Sequence, residues 1–155
     1  MSDRSPSSPS TVTIRISSAT SNRMSGKTYY VRNTFTSCYL DCNNVGNVYF
    51  SLNDPCKWEF IGTETTGAYY LKHVNTQLYL TSDEHGDLFT TVGLNSTLQK
   101  WVIHTTSVNE TYAIKNLSNN LYILVNNTND IYLYELDDKN KETGLFYAFQ
   151  RFPKK

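Results

Sequence analysis

The stretch Thr28-Tyr29-Tyr30-Val31-Arg32-Asn33 decides the reading of this chain. It returns as Ala68-Tyr69-Tyr70-Leu71-Lys72-His73 and again as Thr111-Tyr112-Ala113-Ile114-Lys115-Asn116. Self-similarity at a period of about 40 residues marks a repeat architecture. Nine residues beyond Val31, Leu71 and Ile114 stand Leu40, Leu80 and Ile123, each behind a tyrosine: Tyr39, Tyr79 and Tyr122. Seventeen residues beyond stand Val48, Leu88 and Ile131, each after a turn pair, Gly46-Asn47, Gly86-Asp87 or Asn129-Asp130. Such pairs tolerate positive φ and read as tight hairpins. An aromatic closes each unit at Trp58, Trp101 and Tyr147, which are 27, 30 and 33 residues past the reference position, so insertions fall in the loop before the fourth strand. Lys57-Trp58-Glu59-Phe60 and Lys100-Trp101-Val102-Ile103 carry that alignment, and Phe146-Tyr147-Ala148-Phe149 is its eroded third copy.

Apolar residues inside each unit alternate with period two, as in half-buried strands, and no long segment has a helical period. The 12 tyrosines, 16 asparagines and 19 threonines favour strands joined by turns. Four short strands per unit predict an all-β domain of about twelve strands, with repeats at residues 27–64, 65–107 and 108–152. Alternation across a strand places Tyr29, Val31 and their counterparts inward, and Arg32, Lys72 and Lys115 on a solvated outer face. Trp58 and Trp101 read as core.

At 155 residues and 17.8 kDa the chain fits one domain with one core. Fourteen basic residues balance fourteen acidic ones, so the electrostatic footprint of a nucleic-acid partner is missing. No stretch approaches the ~18 consecutive apolar residues of a membrane span, and solubility without membrane insertion is expected. Residues 1–26 precede the repeats as an arm. Its first ten are rich in serine and proline and are expected to be disordered, and they lack the apolar run of a secretory leader. A cytoplasmic location, or leaderless secretion, is therefore expected. Sequons at Asn95, Asn109, Asn116 and Asn126 are expected to be bare. Cys38, Cys42 and Cys56 match no common zinc spacing and are expected to be reduced, a disulfide from Cys56 to one of the others being the alternative. Residues 11–16 alternate like an extra strand, which would pair along the domain edge or across a homodimer contact, a loose arm being the alternative.

Three repeats of four strands with a closing tryptophan resemble the β-trefoil, a six-stranded barrel capped by three hairpins. Within that fold, Leu40-Asp41-Cys42 and Gln99-Lys100-Trp101 resemble signature pieces of the ricin-B-like lectins. The hairpin from Leu80 to Leu88 has the short form of fascin-like and growth-factor-like trefoils. A ricin-type galactose site would need an aspartate after the second strand, an aromatic platform after the third, and Asn-Gln near the closing tryptophan. No repeat holds the full set: the first keeps Asp41, the second keeps Gln99, and the third offers Tyr134 without the aspartate.

Sugars bind through hydroxyl hydrogen bonds and stacking on an aromatic face. Loop-borne residues able to supply both are Asp41, Asn44, Asn47 and Tyr49 in the first repeat, Gln99 in the second, and Asn127, Asp130, Tyr132 and Tyr134 in the third. The expected activity is glycan or glycoprotein recognition by a lectin. Alternatives are a protease inhibitor, presenting residues 92–100 or 136–145 with Lys139 or Lys141 as the anchor, and a protein-interaction trefoil of the cytokine or actin-bundling kind. His73, His85 and His104 form no local nucleophile and base pattern, so no enzyme, cofactor or metal is expected.

Overall fold

The computed structural model describes residues 14–126, 128 and 130–151. Its strands are β1 (Ile16–Ala19), β2 (Lys27–Asn33), β3 (Tyr39–Cys42), β4 (Val48–Ser51), β5 (Trp58–Gly62), β6 (Ala68–His73), β7 (Tyr79–Ser82), β8 (Leu88–Thr91), β9 (Trp101–Thr106), β10 (Tyr112–Asn116), β11 (Tyr122–Val125), β12 (Ile131–Tyr134) and β13 (Phe146–Phe149). Antiparallel pairing runs β2–β5–β6–β9–β10–β13 and back to β2, so the barrel closes on six strands. The hairpins β3–β4, β7–β8 and β11–β12 cap one end. Each is joined to its barrel strand at an equivalent pair: Arg32 opposite Tyr39, Lys72 opposite Tyr79, Lys115 opposite Tyr122. This is the β-trefoil. The three basic residues do lie on the outer face, half-buried, and the Lys72 ammonium sits 5.6 Å from the centre of the Tyr79 ring.

The core follows the predicted parity: Val31, Leu71 and Ile114 are buried with Leu40, Leu80 and Ile123. Trp58 and Trp101 are fully buried, and their indole N–H groups donate to the Leu40 and Leu80 carbonyls at 2.9 and 3.0 Å. The third closing aromatic is Phe146, not Tyr147. Trp58 pairs with Tyr29 and His73, Trp101 with Tyr69 and Asn116, and Phe146 with Tyr112 and Asn33. One step of the pleat turns Tyr147 outward, where it stacks on Phe149.

The hairpin turns are longer than a two-residue hairpin. In each, the first residue's side-chain oxygen gathers two backbone N–H groups: Asn43 takes Val45 and Asn47, Asp83 takes His85 and Asp87, and Asn126 takes Thr128 and Asp130. Gly46 has φ +96°, and a Cβ there would lie 2.8 Å from the Thr90 carbonyl oxygen, so the first turn can pack on β8 only with glycine. The strands β4, β8 and β12 place Phe50, Thr90 and Leu133 at equivalent positions, all buried. Among the described residues the buried Thr90 hydroxyl has no hydrogen-bond partner. Thr90→Val is therefore expected to stabilise the fold by about 1 kcal/mol, read as a raised urea midpoint at unchanged slope.

The extra strand begins where residues 11–16 were expected to end. β1 lies on β9 of the same chain, Ile16 opposite Thr106 and Ala19 opposite His104. Ser17 and Ser18 continue the strand because backbone pairing, not side-chain polarity, is what β9 offers. Residues 1–13, including the expected disordered ten, lie outside the described residues. Among the described residues Cys38, Cys42 and Cys56 form no disulfide.

Candidate functional site

The equivalent place in each repeat, between the hairpin and the loop after it, is marked by one cross-strand pair: Asp41 with Tyr49, Thr81 with Phe89, Leu124 with Tyr132. The aromatic recurs 18 residues past each reference position. Phe89 was missing from the sequence-derived set although the same register places it. The three grooves are filled differently, and that difference selects one of them.

In the third repeat the fully buried Leu124 fills the space. Gly144 makes room for it, since a Cβ there would stand 2.7 Å from a Leu124 methyl. That groove keeps no polar group at the position of Asp41. Tyr132 and Tyr134 lie beside each other, ring centres 6.4 Å apart, with Tyr134 largely exposed. Asp130 accepts from the Thr128 hydroxyl at 2.9 Å. Asn127 lies outside the described residues.

In the first repeat Asp41 is turned inward. Its Oδ1 lies 2.7 Å from Nε2 of His73, a ring only 2% exposed, and also accepts the Cys42 N–H at 2.9 Å. His73 Nδ1 lies 3.2 Å from the Thr76 backbone nitrogen and 2.9 Å from its hydroxyl. Pseudo-symmetry explains the pair. Asn33 and Asn116 occupy the equivalent positions, take the N–H groups of the following turn on Oδ1, and donate from Nδ2 to the Thr143 and Leu98 carbonyls. His73 stands in the same place with a longer side chain, Nδ1 meeting the Thr76 hydroxyl and the far nitrogen reaching a carboxylate instead of a carbonyl. Burial pulls its pKa down, but the hydrogen bond to Asp41 and the neighbouring Cys42 outweigh that and raise it to about 9. Asp41 is thus a structural partner, and Tyr49 stands beside it half-exposed, with Asn44 and Asn47 exposed on the turn.

The second groove is open. It encloses about 610 Å³ between β7–β8 and residues 92–98, lined by Thr81, Asp83, Phe89, Thr91, Asn95 and Ser96 among others. Gln99, fully buried, builds its wall rather than its lining. Its Oε1 accepts the Asn95 and Ser96 N–H groups at 2.9 and 3.0 Å, and its Nε2 donates to the Gly93 carbonyl and the Thr81 hydroxyl. A 3-10 turn at Thr97–Gln99 is capped by Ser96. On the opposite side the Asp87 N–H, and with it the His85 N–H, hold the Asp83 carboxyl below the usual carboxylate range. Asn47 of the first hairpin bridges to Phe89. The groove thus offers a half-buried ring beside an ionised carboxylate, an amide and hydroxyls. Of the sequence-derived residues none lines this groove: Gln99 holds its wall from behind, Asn47 reaches it only through the backbone bridge to Phe89, and the others remain with their own repeats.

Residues 54–130, which include the whole of this groove, match the family described as "Ricin-type beta-trefoil lectin domain-like". No curated protein matches the chain. Among solved structures the chain is similar to a family 43 β-1,3-galactosidase, at 23% identity and TM-score 0.67 over 86% of this chain but 28% of that one. It is also similar to SeviL bound to the asialo-GM1 saccharide, at 14% identity and TM-score 0.67 over 81% of this chain and 98% of that one. A proteinase inhibitor from Coprinopsis cinerea aligns at 16% identity and TM-score 0.65 over 81% and 97%. Likeness at these identities is likeness of fold.

Proposed function

We propose, on the premise that the chain is a β-trefoil whose middle half resembles the ricin-type lectin domain, that it binds carbohydrate in the groove of its second repeat. The observation that carries this is Phe89 beside a polar groove of about 610 Å³, a size that admits small ligands. A sugar ring would lay its apolar face on Phe89 and direct hydroxyls to Asp83, Asn95 and Ser96. The partners would be glycans or glycoproteins. One shallow groove gives weak binding, so avidity would come from clustered ligands.

We read this as binding without turnover. His73 is committed to Asp41, His104 Nδ1 lies 2.9 Å from the Ser17 carbonyl, and His85 is exposed on a turn.

The test is a glycan array with free-sugar competition of every hit. Phe89→Ala should weaken competable binding by about tenfold, whereas Tyr132→Ala, in the filled third groove, should leave it unchanged. Competable binding that survives Phe89→Ala would move the site elsewhere. A blank array from folded protein would redirect attention to a protease panel and residues 136–145.

A further inference from the structure

The opposite end of the barrel carries a second polar groove that the carbohydrate reading does not use. It encloses about 430 Å³ between the turn that holds Arg23 and the loop joining β9 to β10, and Asn109, Glu110 and Tyr112 line it. Arg23 is exposed but fixed. Its guanidinium lies 5.6 Å from the centre of the Tyr112 ring, and Nη2 donates to the Tyr112 hydroxyl at 3.1 Å. Among the described residues it makes no ion pair. A guanidinium anchored beside a ring by one hydrogen bond, with donors left over, suits a planar carboxylate.

The loop is equally fixed. The Thr106 and Thr111 hydroxyls lie 2.6 Å apart, the Thr111 hydroxyl donates to the Val108 carbonyl, and Arg15 and Ser107 exchange hydrogen bonds that tie the loop to the segment before β1. On this loop Glu110 sits at φ +62°, a left-handed conformation that a glutamate adopts at a cost. The equivalent residue of the second repeat, four before the reference position, is Gly67 at φ +84°. A side chain at Gly67 would collide with Ala19, whereas the third repeat has room for one and carries a carboxylate there.

We infer that this groove is a second binding site, for a saccharide bearing a carboxylate, with Arg23 taking the carboxylate and Glu110 and Asn109 taking neighbouring hydroxyls. The Glu110 charge disfavours a doubly charged phosphate, the planar guanidinium fork matches a carboxylate, and a simple carboxylate leaves Glu110 and Asn109 unused. The site is independent of the second-repeat groove and does not rest on the reading given to it.

The full chain is titrated with N-acetylneuraminate, glucuronate, glucose, acetate and inorganic phosphate, in the wild type and in Phe89→Ala, following amide shifts of residues 105–112 by NMR. Saturable shifts with one or both acidic sugars, unchanged in Phe89→Ala, are expected, and whichever acid binds identifies the source. Arg23→Gln should weaken that binding by about tenfold or more. Glu110→Gly should weaken it too while holding or raising the melting temperature, since glycine relieves the positive φ. A purely structural Glu110 would not separate stability from binding in that way. Absence of saturation with both acidic sugars, equal binding of glucose, acetate or phosphate, or indifference to Arg23→Gln would each overturn the proposal.

Discussion

Asp41→Ala is expected to lower stability by about 3–5 kcal/mol, the cost of stripping one partner from a buried charged pair, and the melting temperature by about 10 °C. The loss arises at His73, which is 2% exposed and whose Nε2 has Asp41 Oδ1 at 2.7 Å. Without the carboxylate the imidazole keeps Thr76 and the neighbouring Cys42 but loses the partner of its Nε2. Asparagine fills the equivalent place at Asn33 and Asn116, so His73→Asn should fold, at a smaller loss. A double-mutant cycle with Asp41→Thr, which installs the second-repeat residue, isolates the pair. Coupling above about 1.5 kcal/mol is expected, and additive losses would refute the pairing. Below its melting temperature Asp41→Ala should still bind glycan, because the open groove lies one repeat away.

The same pair gives the alkaline limb of the stability profile. The folded pKa of His73, about 9, lies above the value near 6.5 of an unpaired histidine. The pair's stabilisation is therefore complete below about pH 6.5 and is lost as pH rises towards 9, on the order of 3 kcal/mol in all. His104 works oppositely. Burial, aided by Lys115 and opposed by the Ser17 carbonyl, holds its pKa below 6.5, so the fold loses stability as pH falls through the unfolded value. Thermal melts across pH 5–10 should peak near neutrality. A flat alkaline limb in the wild type, or an unchanged one in Asp41→Thr/His73→Asn, would contradict the assignment.

Why Asp41 was legible as a residue of interest but not in its role is a matter of range. Its place in the repeat and its resemblance to a lectin aspartate are local facts, readable from Leu40-Asp41-Cys42. Its partner lies 32 residues away and is brought over by barrel closure, and no periodicity reports which side chain faces which across repeats. The barrel and hairpins were legible for the opposite reason. Period-two alternation repeated three times fixes register, and register fixes faces. The error at Tyr147 is a single slip of that register, made where the variable loop removes the reference. The state of the grooves was not legible, because it depends on volume: Leu124 fills one groove only since residue 144 is glycine. Phe89 is readable from the register alone, standing 18 residues past Leu71 as Tyr49 and Tyr132 stand past Val31 and Ile114.

Gln99→Ala should act on stability and binding together. The buried amide accepts the Asn95 and Ser96 N–H groups and donates to the Gly93 carbonyl and Thr81 hydroxyl, so one side chain fixes the loop that forms the groove's outer wall. Its removal leaves several buried polar groups without partners, at about 1–3 kcal/mol each where water cannot reach them. Rehydration of the exposed loop limits the total to about 2–4 kcal/mol. Gln99→Glu separates the parts. It keeps acceptors for Asn95 and Ser96 but sets a carboxylate against the Gly93 carbonyl, so it should be no more stable than Gln99→Ala. In Gln99→Ala the Asn95 and Ser96 N–H groups lose their acceptor and are released from their positions opposite Phe89, and glycan binding should fall at least as far as in Phe89→Ala while Trp101 remains buried. Amide exchange at residues 93–98 reports the loop directly. Fast exchange there with protection kept in β9 and β10 is expected, whereas slow exchange in Gln99→Ala would show that the wall stands without Gln99.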